Sequence, residues 1–352
     1  MVAATAMTPS LSHYLDLLRI LAALTVFLSH LSWAKISGGF LWQLQPFGHY
    51  GVMVFFVLSG FVIQHVAATR ERDFSAYTVA RLARLYSVVL PALLLTAVCD
   101  TLGSSLKPEL YDLETHRDPA WRLLASGLFL SQSWGLNLAT LSNGAFWSLP
   151  YEFWYYQMFG AAIFLSGWQR LVWLALSILL AGPAILLYLP IWLFGMAACR
   201  WSMHGRLPAR LAQPLFALTL LALLGGLYLE STGMFPRTIA VHLPPSFSPI
   251  DYVIGGLVAL NLLAAAQIAL PLARFAGVIA VLAGLTFSLY LFHLPLLHLF
   301  ASLAPDSLPL SVRTAVIALP TLGLVGLLGW YTERKKSWLA ARLADLRRIL
   351  PA

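Results

Sequence analysis

Apolar stretches of about 20 residues recur along the whole chain, and they restrict its fold more than any other feature. We count ten of them, near residues 14–34, 48–68, 83–99, 122–138, 146–167, 170–199, 211–229, 250–270, 275–300 and 311–332. A helix of that length crosses a bilayer and satisfies its own backbone hydrogen bonds, so each stretch predicts a transmembrane helix. The sixth contains Pro183 and Pro190 and is either one kinked helix or two short ones.

The composition agrees with a membrane protein. The chain is 60% hydrophobic and only 10% charged, whereas a soluble domain has about half apolar and a quarter charged residues. We therefore predict an all-α, polytopic integral membrane helical bundle of about ten helices, with no separate soluble domain. An N-terminal segment (1–13), a transmembrane domain (14–332) and a basic tail (333–352) would make up the chain.

The basic residues predict the orientation of the helices. The chain carries a formal net charge of +8 and 22 Lys and Arg residues. With ten spans, fourteen of these residues fall on the side that holds both termini, seven fall on the other side, and Arg19 lies within the membrane. Cytoplasmic segments are enriched in Lys and Arg, so both termini are predicted to be cytoplasmic. The same pattern explains the charge without a nucleic-acid partner.

The first apolar stretch, "LDLLRILAALTVFLSHL", contains three ionisable residues, which are expensive in a bilayer and usually functional. Arg19 and His30 are eleven residues apart, so on a helix they share a face and lie about 16 Å apart along the axis. Asp16 precedes Arg19 by three residues and can pair with it. A polar cavity lining is one reading, and a structural hydrogen bond between helices is the other. His30 is the best candidate for a general base.

Two further segments carry side chains suited to ligand binding. In "YTVARLARLYSVVLP", Arg81 and Arg84 lie one helical turn apart. Two guanidinium groups so placed can bind phosphates, although ordinary positive-inside residues would look the same. In "GAFWSLPYEFWYYQMF", Glu152 is the only acid among aromatic residues that include Trp147. Those aromatic residues form either an interfacial belt or a surface on which a sugar stacks.

The last two apolar stretches and the cysteines complete the inventory. "LTFSLYLFHLPLLHLF" holds His293 and His298, and "GWYTERKKSW" holds Glu333. Cys99 and Cys199 have no metal-ligand spacing, so no metal site is predicted.

The ordered set of motifs resembles the membrane-bound acyltransferase family 3, the bacterial sugar and polysaccharide O-acyltransferases. "LDLLRILAALTVFLSH" is similar to its first-helix motif, in which Arg and His are separated by ten residues, and "GVMVFFVLSGFVI" is similar to its second. "RLAR" matches its Arg-x-x-Arg pair, and "FWSLPYEFWYY", "SLYLFHLP" and "YTERKKSW" resemble its later landmarks. The resemblance covers nearly the whole chain.

This resemblance implies an O-acyltransferase of the bacterial cytoplasmic (inner) membrane. Its co-substrate would be acyl-CoA, usually acetyl-CoA, with no bound cofactor, and its acceptor a hydroxyl of a cell-surface glycan or lipid-linked sugar. His30, Arg19 and Asp16 would form the catalytic group, with His30 as general base or transient acyl carrier. Donor binding is implied for Arg81, Arg84 and Tyr86, and supporting or acceptor-side roles for Glu152, Trp147, His293 and Glu333.

A transporter or flippase for a lipid-linked sugar is the alternative. Arg19 and His30 would then bind the substrate or relay protons across the membrane. The sequence has no recognisable inverted repeat and no pair of interrupted helices in corresponding positions, which are features of many secondary transporters. Transfer of an acyl label from CoA would separate the two functions.

Overall fold

A computed structural model describes residues 7–112, 114–205, 207–232 and 247–349. These residues form thirteen α-helices joined by turns and short 3₁₀ segments, with no strand among them. The helices are α1 (Pro9–Leu31), α2 (Ala34–Ser37), α3 (Gly48–Thr69), α4 (Phe74–Leu106), α5 (Pro119–Gly127), α6 (Ser148–Phe164), α7 (Gly167–His204), α8 (Ala209–Ser231), α9 (Ile250–Ala265), α10 (Ala276–Ala283), α11 (Thr286–Leu303), α12 (Leu310–Arg334) and α13 (Lys336–Ile349). The predicted all-α class is confirmed.

Seven helical stretches in the described residues are long and apolar enough to cross a membrane. They are Pro9–Leu31, Trp42–Thr69, Phe74–Leu106, Pro183–His204, Arg210–Leu229, Thr286–Leu303 and Leu310–Asp345. Three shorter apolar helices accompany them, Gly167–Ala181, Ile250–Ala265 and Ala273–Ala283. These helices indicate an integral membrane protein, while the number of ten crossings stays a prediction.

The predicted span at 122–138 is wrong. Helix α5 ends at Gly127, and the following segment runs through turns with left-handed backbone at Phe129, Trp134 and Asn137. Ser131, Gln132 and Ser133 are buried there by the surrounding protein. Irregular backbone is tolerated at membrane depth when protein covers it, so an apolar sequence did not require a helix.

Two other predicted spans are interrupted. For stretch 170–199, the sequence left open whether it forms one kinked helix or two short ones. The stretch is divided at Gly182, which precedes Pro183 and has a left-handed φ of 77°. A Cβ at Gly182 would lie 2.7 Å from the backbone nitrogen of Trp134, so the close approach also requires glycine. Stretch 275–300 is divided into α10 and α11 by a turn at Gly284.

The chain divides into two compact units, each assembled from separate segments. Unit 1 comprises Met1–Val26, Pro46–Glu71 and Leu187–Ala283, and unit 2 comprises Phe27–Gln45, Arg72–Leu186 and Gly284–Ala352. The predicted boundaries at residues 13 and 332 do not coincide with this division. Parts of the predicted terminal segments, residues 1–6 and 350–352, lie outside the described residues.

Unit 1 is held together by close helix packing. Helix α9 packs against α3 and α8. Helices α3 and α7 touch through glycines, because a Cβ at Gly60 would lie 2.0 Å from the Trp192 carbonyl oxygen and one at Gly195 would lie 1.9 Å from that of Val57. Small residues allow membrane helices to approach to backbone contact in this way.

Unit 2 is organised around α11, most of which is buried. Helix α11 packs against α4 and α12, and α4 also contacts α6 and α13. Asn143 anchors the irregular segment to this core by donating from Nδ2 to the Leu291 carbonyl oxygen at 2.9 Å and to Thr96 Oγ1 at 3.1 Å. Both histidines of α11, His293 and His298, are therefore buried in the interior of unit 2.

Candidate active site

Two histidines from distant parts of the sequence meet in unit 2. His30 lies in the last turn of α1, and His293 lies on α11 with no exposed surface. Nδ1 of His30 is 2.7 Å from Nε2 of His293, and the two rings are nearly parallel, with 12° between their planes. Both residues were candidates from the sequence, but their contact was not predicted.

The hydrogen-bond partners of His293 define the tautomers of the pair. Nδ1 of His293 lies 2.7 Å from the Leu289 carbonyl oxygen, which can only accept, so this nitrogen carries a proton. In a neutral ring Nε2 is then an acceptor, and Nδ1 of His30 donates to it. A neutral His30 therefore has its remaining lone pair on Nε2. In catalytic histidines, a hydrogen bond at one ring nitrogen commonly fixes the tautomer in this way and leaves the other nitrogen to act as the base.

Aromatic rings pack around the pair. The ring of Trp33 contacts that of His30 edge-on, with centroids 4.7 Å apart, and Phe27 contacts His293 edge-on at 6.0 Å. Apolar neighbours exclude water, and electrostatic interactions inside such an environment are stronger than in solution. The two histidines would therefore interact more strongly with a charge that develops on a reacting group than they would in water.

Arg19 and Asp16 form an ion pair in unit 1. The Nη1 atom of Arg19 lies 3.2 Å from Oδ1 of Asp16, and the two side chains are about a quarter exposed (24% and 26%). The i, i+3 pairing is the one that the sequence predicted. Helix α1 is continuous through both Arg19 and His30. The catalytic role assigned to Arg19 and Asp16 stays a prediction.

Arg81, Arg84 and Tyr86 lie on α4, in unit 2. Arg81 is 8% exposed, and its guanidinium carbon lies 5.3 Å from the centre of the Tyr77 ring. Arg84 is half-buried and interacts electrostatically with Glu152, Tyr156 and Glu333. Tyr86 donates from its hydroxyl to the Gly127 carbonyl oxygen at 2.9 Å. The structure thus brings Arg84 together with two of the predicted supporting residues.

Glu152, Glu333 and Trp147 occupy separate positions in this unit. The carboxylate of Glu152 accepts a hydrogen bond from the Tyr156 hydroxyl. Glu333 accepts one from Ser288 Oγ at 3.2 Å. Trp147 packs edge-on against Tyr151, with centroids 5.3 Å apart. Glu152 and Glu333 supply the negative charge near Arg84, whereas Trp147 belongs to an aromatic layer.

A family model described as an acyltransferase domain matches residues 12–331. The chain belongs to the acyltransferase 3 family. The match extends from the start of α1 nearly to the end of α12, and so includes all of the candidate residues except Glu333. The resemblance inferred from the motifs is therefore confirmed.

One curated relative is similar to part of this chain. It is an "O-acetyl transferase" of Shigella phage Sf6, 28% identical over 160 residues. The match covers 43% of the present chain and 46% of the phage protein, so less than half of either length is compared. No solved structure matches the chain.

The chain contains no group of three or more His, Cys, Asp or Glu side chains able to hold a metal ion within the described ranges. Cys99 and Cys199 are free thiols, and both are buried. A buried structural cysteine is usually inert.

An apolar cavity of about 540 Å³ lies in unit 1. Residues of α1, α3, α8 and α9 line it, among them Leu18, Leu223 and Ile254. Tyr50 is the one titratable side chain in its described lining. The cavity is suited to hydrocarbon rather than to proton transfer, whereas the paired histidines lie in unit 2.

Several polar clusters were missed by reasoning from the sequence. His49 donates or accepts through Nε2 with buried Asp251 at 3.0 Å. His116 and Asp100 are in contact at 2.9 Å. In the sequence, each of these residues is an isolated polar group beside an apolar stretch, and no motif spacing links the two members of a pair. Only the tertiary fold brings them into pairs.

Proposed function

We propose that this family member transfers an acyl group, most simply acetyl, from acyl-CoA to a hydroxyl group of a glycan, with His30 as the reactive base. The observation that carries the proposal is the His30–His293 hydrogen bond of 2.7 Å. Because His293 accepts from Nδ1 of His30, it fixes the tautomer whose Nε2 lone pair can take a proton. Membership of the family and the name of the phage relative support O-acyl transfer.

The reaction balances in protons and bonds. Nε2 of His30 removes the proton from the acceptor hydroxyl while the oxygen attacks the thioester carbonyl carbon. The new C–O bond forms, the C–S bond breaks, and the CoA sulfur takes the proton back from Nε2. During this step His30 is an imidazolium, which His293 stabilises by accepting from its Nδ1–H. In the alternative route, Nε2 attacks the thioester carbonyl carbon and the C–S bond breaks to release the CoA thiolate. The acceptor hydroxyl then attacks the acyl group on Nε2, the C–N bond breaks, and the thiolate takes the hydroxyl proton.

Arg81, Arg84 and Tyr86 are proposed to bind the donor. Guanidinium groups bind phosphate through charge-assisted hydrogen bonds, and CoA carries several phosphate oxygens. Arg84 has Glu152 and Glu333 as electrostatic neighbours, so a phosphate at Arg84 would compete with carboxylates. Arg19, with Asp16 as its partner, would bind a further phosphate or keep the polar face of α1 ordered.

The membrane and the sidedness of the reaction belong to the same proposal. With ten crossings, the excess of basic residues on one side supports a bacterial inner-membrane protein whose two termini are cytoplasmic. The donor would then enter from the cytoplasm, and the acceptor would be an exported glycan or a lipid-linked sugar.

The direct test is transfer of label from acetyl-CoA into membrane glycans. Wild type should label glycans, and His30→Ala should lose at least about 100-fold of the rate, since general base catalysis contributes about that much. His204→Ala is a matched control, because His204 is exposed and bonds only to the Arg200 carbonyl oxygen among the described contacts. Equal labelling by wild type and His30→Ala would remove His30 from the mechanism.

The same assay tests the alternative function. A transporter or flippase would move a lipid-linked sugar without incorporating the acyl label. Absence of label in wild-type membranes that contain the folded protein would contradict the proposed acyl transfer.

A further inference from the structure

The segment that follows α1 places a cation beside the candidate base. Trp33 contacts the ring of His30, with centroids 4.7 Å apart. Nζ of Lys35 lies 5.2 Å from the centre of the Trp33 ring, and Lys35 also interacts electrostatically with His30. All three residues belong to unit 2. One indole ring therefore separates the ammonium group from the reactive imidazole.

The ammonium group of Lys35 has no ion-pair partner within the described part of the chain. Asp112 and Asp100 interact with it electrostatically without forming a salt bridge. Asp100 already accepts from the backbone nitrogen of Ser142 at 2.8 Å and contacts His116 at 2.9 Å. Partial burial lowers the pKa of Lys35, because removing an ammonium group from water disfavours its charge. Lys35 is nevertheless exposed, so its ammonium group is accessible to an incoming anion.

A second polar group without a hydrogen-bond partner interacts electrostatically with Lys35. His298, on α11, is 1% exposed, and neither of its ring nitrogens has a hydrogen-bond partner. The backbone of Leu110 is a neighbour, but it does not reach hydrogen-bond geometry. His298 interacts electrostatically with both Lys35 and His30. A buried polar group without a partner is destabilising by about 1–3 kcal/mol, so retention of this imidazole points to a ligand.

We propose that Lys35 and His298 form a subsite beside His30 for an anionic group, a carboxylate or a phosphate, carried by the acceptor. The ammonium of Lys35 supplies charge, and an N–H of His298 supplies a directed hydrogen bond. The acceptor is then an acidic glycan or a phosphate-linked sugar, held so that one of its hydroxyls reaches Nε2 of His30. This assignment rests on the proposed acyl transfer and narrows its acceptor class.

CoA is a second source of anionic groups, and the kinetics separate it from the acceptor. Membranes of the native host supply the acceptor, and labelled acetyl-CoA supplies the donor. We compare wild type with Lys35→Gln, which removes the charge, and Lys35→Arg, which keeps it. Lys35→Gln should raise the apparent KM for the glycan about tenfold, as expected for one lost charged hydrogen bond. The KM for acetyl-CoA should stay constant, and Lys35→Arg should retain most of the activity.

The labelled product gives a readout that needs no variant. It should bind an anion-exchange resin at neutral pH and elute with salt, and cleavage of phosphate linkages should distinguish a phosphate from a carboxylate. Label in glycans that pass through the resin unbound would overturn the subsite. A rise in the KM for acetyl-CoA in Lys35→Gln would also overturn it, because the anion would then belong to the donor.

His298 variants test the second donor of the subsite. His298→Asn keeps an N–H and should lose less affinity for the glycan than His298→Phe, with kcat little changed in either. His204→Phe is the control for an unrelated histidine. Equal losses in the two His298 variants, scaling with loss of folded protein, would make His298 structural only. Absence of label with every protein, including wild type, would overturn the acyl transfer itself, whereas label in neutral glycans would overturn only the acidic acceptor.

Discussion

Nε2 of His293 accepts a hydrogen bond from Nδ1 of His30 over 2.7 Å, while Nδ1 of His293 donates to the Leu289 carbonyl oxygen over the same distance. His293 therefore has one ring nitrogen hydrogen-bonded to the backbone and the other to the candidate base, as a positioning residue would. The backbone carbonyl keeps the proton of His293 in place, and that proton in turn determines which nitrogen of His30 is basic.

Replacement of His293 should reduce catalysis more than binding. We expect His293→Phe to lower kcat by about 10- to 100-fold, as loss of an orienting partner typically does, with little change in the KM for acetyl-CoA. His293→Gln should recover part of the rate, because its amide oxygen can accept from Nδ1 of His30. Steady-state kinetics in membranes at matched protein levels would measure both. Equal kcat values for the Phe and Gln variants would contradict an orienting role.

Arg84 should act on stability as well as on donor binding. Removing its charge in Arg84→Met leaves partly buried Glu152 and Glu333 without a neighbouring cation, which we expect to destabilise the protein by about 2 kcal/mol. Addition of Glu333→Gln should restore part of that loss, measured as thermal unfolding midpoints in detergent. Strict additivity of the two changes would contradict the coupling.

Arg81→Gln, by contrast, should raise the KM for acetyl-CoA.

The contact between α3 and α7 should not tolerate a methyl group. At Gly60 a Cβ would lie 2.0 Å from the Trp192 carbonyl oxygen, and this backbone atom can move only if the helices separate. Gly60→Ala should therefore destabilise unit 1 by about 2 kcal/mol or more. Gly256→Ala is the matched control, since nothing lies within 4 Å of its added Cβ. Similar unfolding temperatures for the two variants would show that the helices can part at little cost.

Asp306 should make stability sensitive to acid. Hydrogen bonds from Lys107, at 2.8 Å, lower the pKa of Asp306, and Arg313 adds to the effect. Because the folded-state pKa is below the unfolded value of about 3.9, the stabilisation is present above that pH and is lost as the pH falls through the folded pKa. The unfolding temperature of wild type should fall more than that of Asp306→Asn between about pH 5 and 3. Glu109→Gln, at an exposed acid, should follow wild type.

The sequence predicted the membrane helices well where one long apolar run forms one helix. Hydropathy identifies such runs because the bilayer demands length and apolarity together. It failed at 122–138, where the backbone turns at Phe129 and Trp134 and the surrounding protein buries the polar side chains of Ser131, Gln132 and Ser133. From the sequence, the break at Gly182 could be stated only as a choice between one kinked helix and two short helices near Pro183, since proline can either kink or end a helix.

The candidate site was predictable as a set of residues but not as an arrangement. His30 and His293 were both named through the motifs, yet 263 positions separate them and no local rule pairs them. No motif distinguished Lys35 from the other basic residues, and His298 was placed only in an apolar stretch. Their significance depends on which groups lack a partner, and that information exists only in the packed structure.

The buried irregular segment that ends at Asn143 has a consequence for biosynthesis. Asn143 donates a hydrogen bond to the Leu291 carbonyl oxygen, which is synthesised 148 residues later. His293 is synthesised 263 residues after its partner His30. At about 5–20 residues per second, His30 is synthesised roughly 13 to 50 seconds before its partner. During that interval His30 cannot make its contact with His293. The histidine pair therefore forms only after α11 has joined unit 2, and not as each helix is inserted.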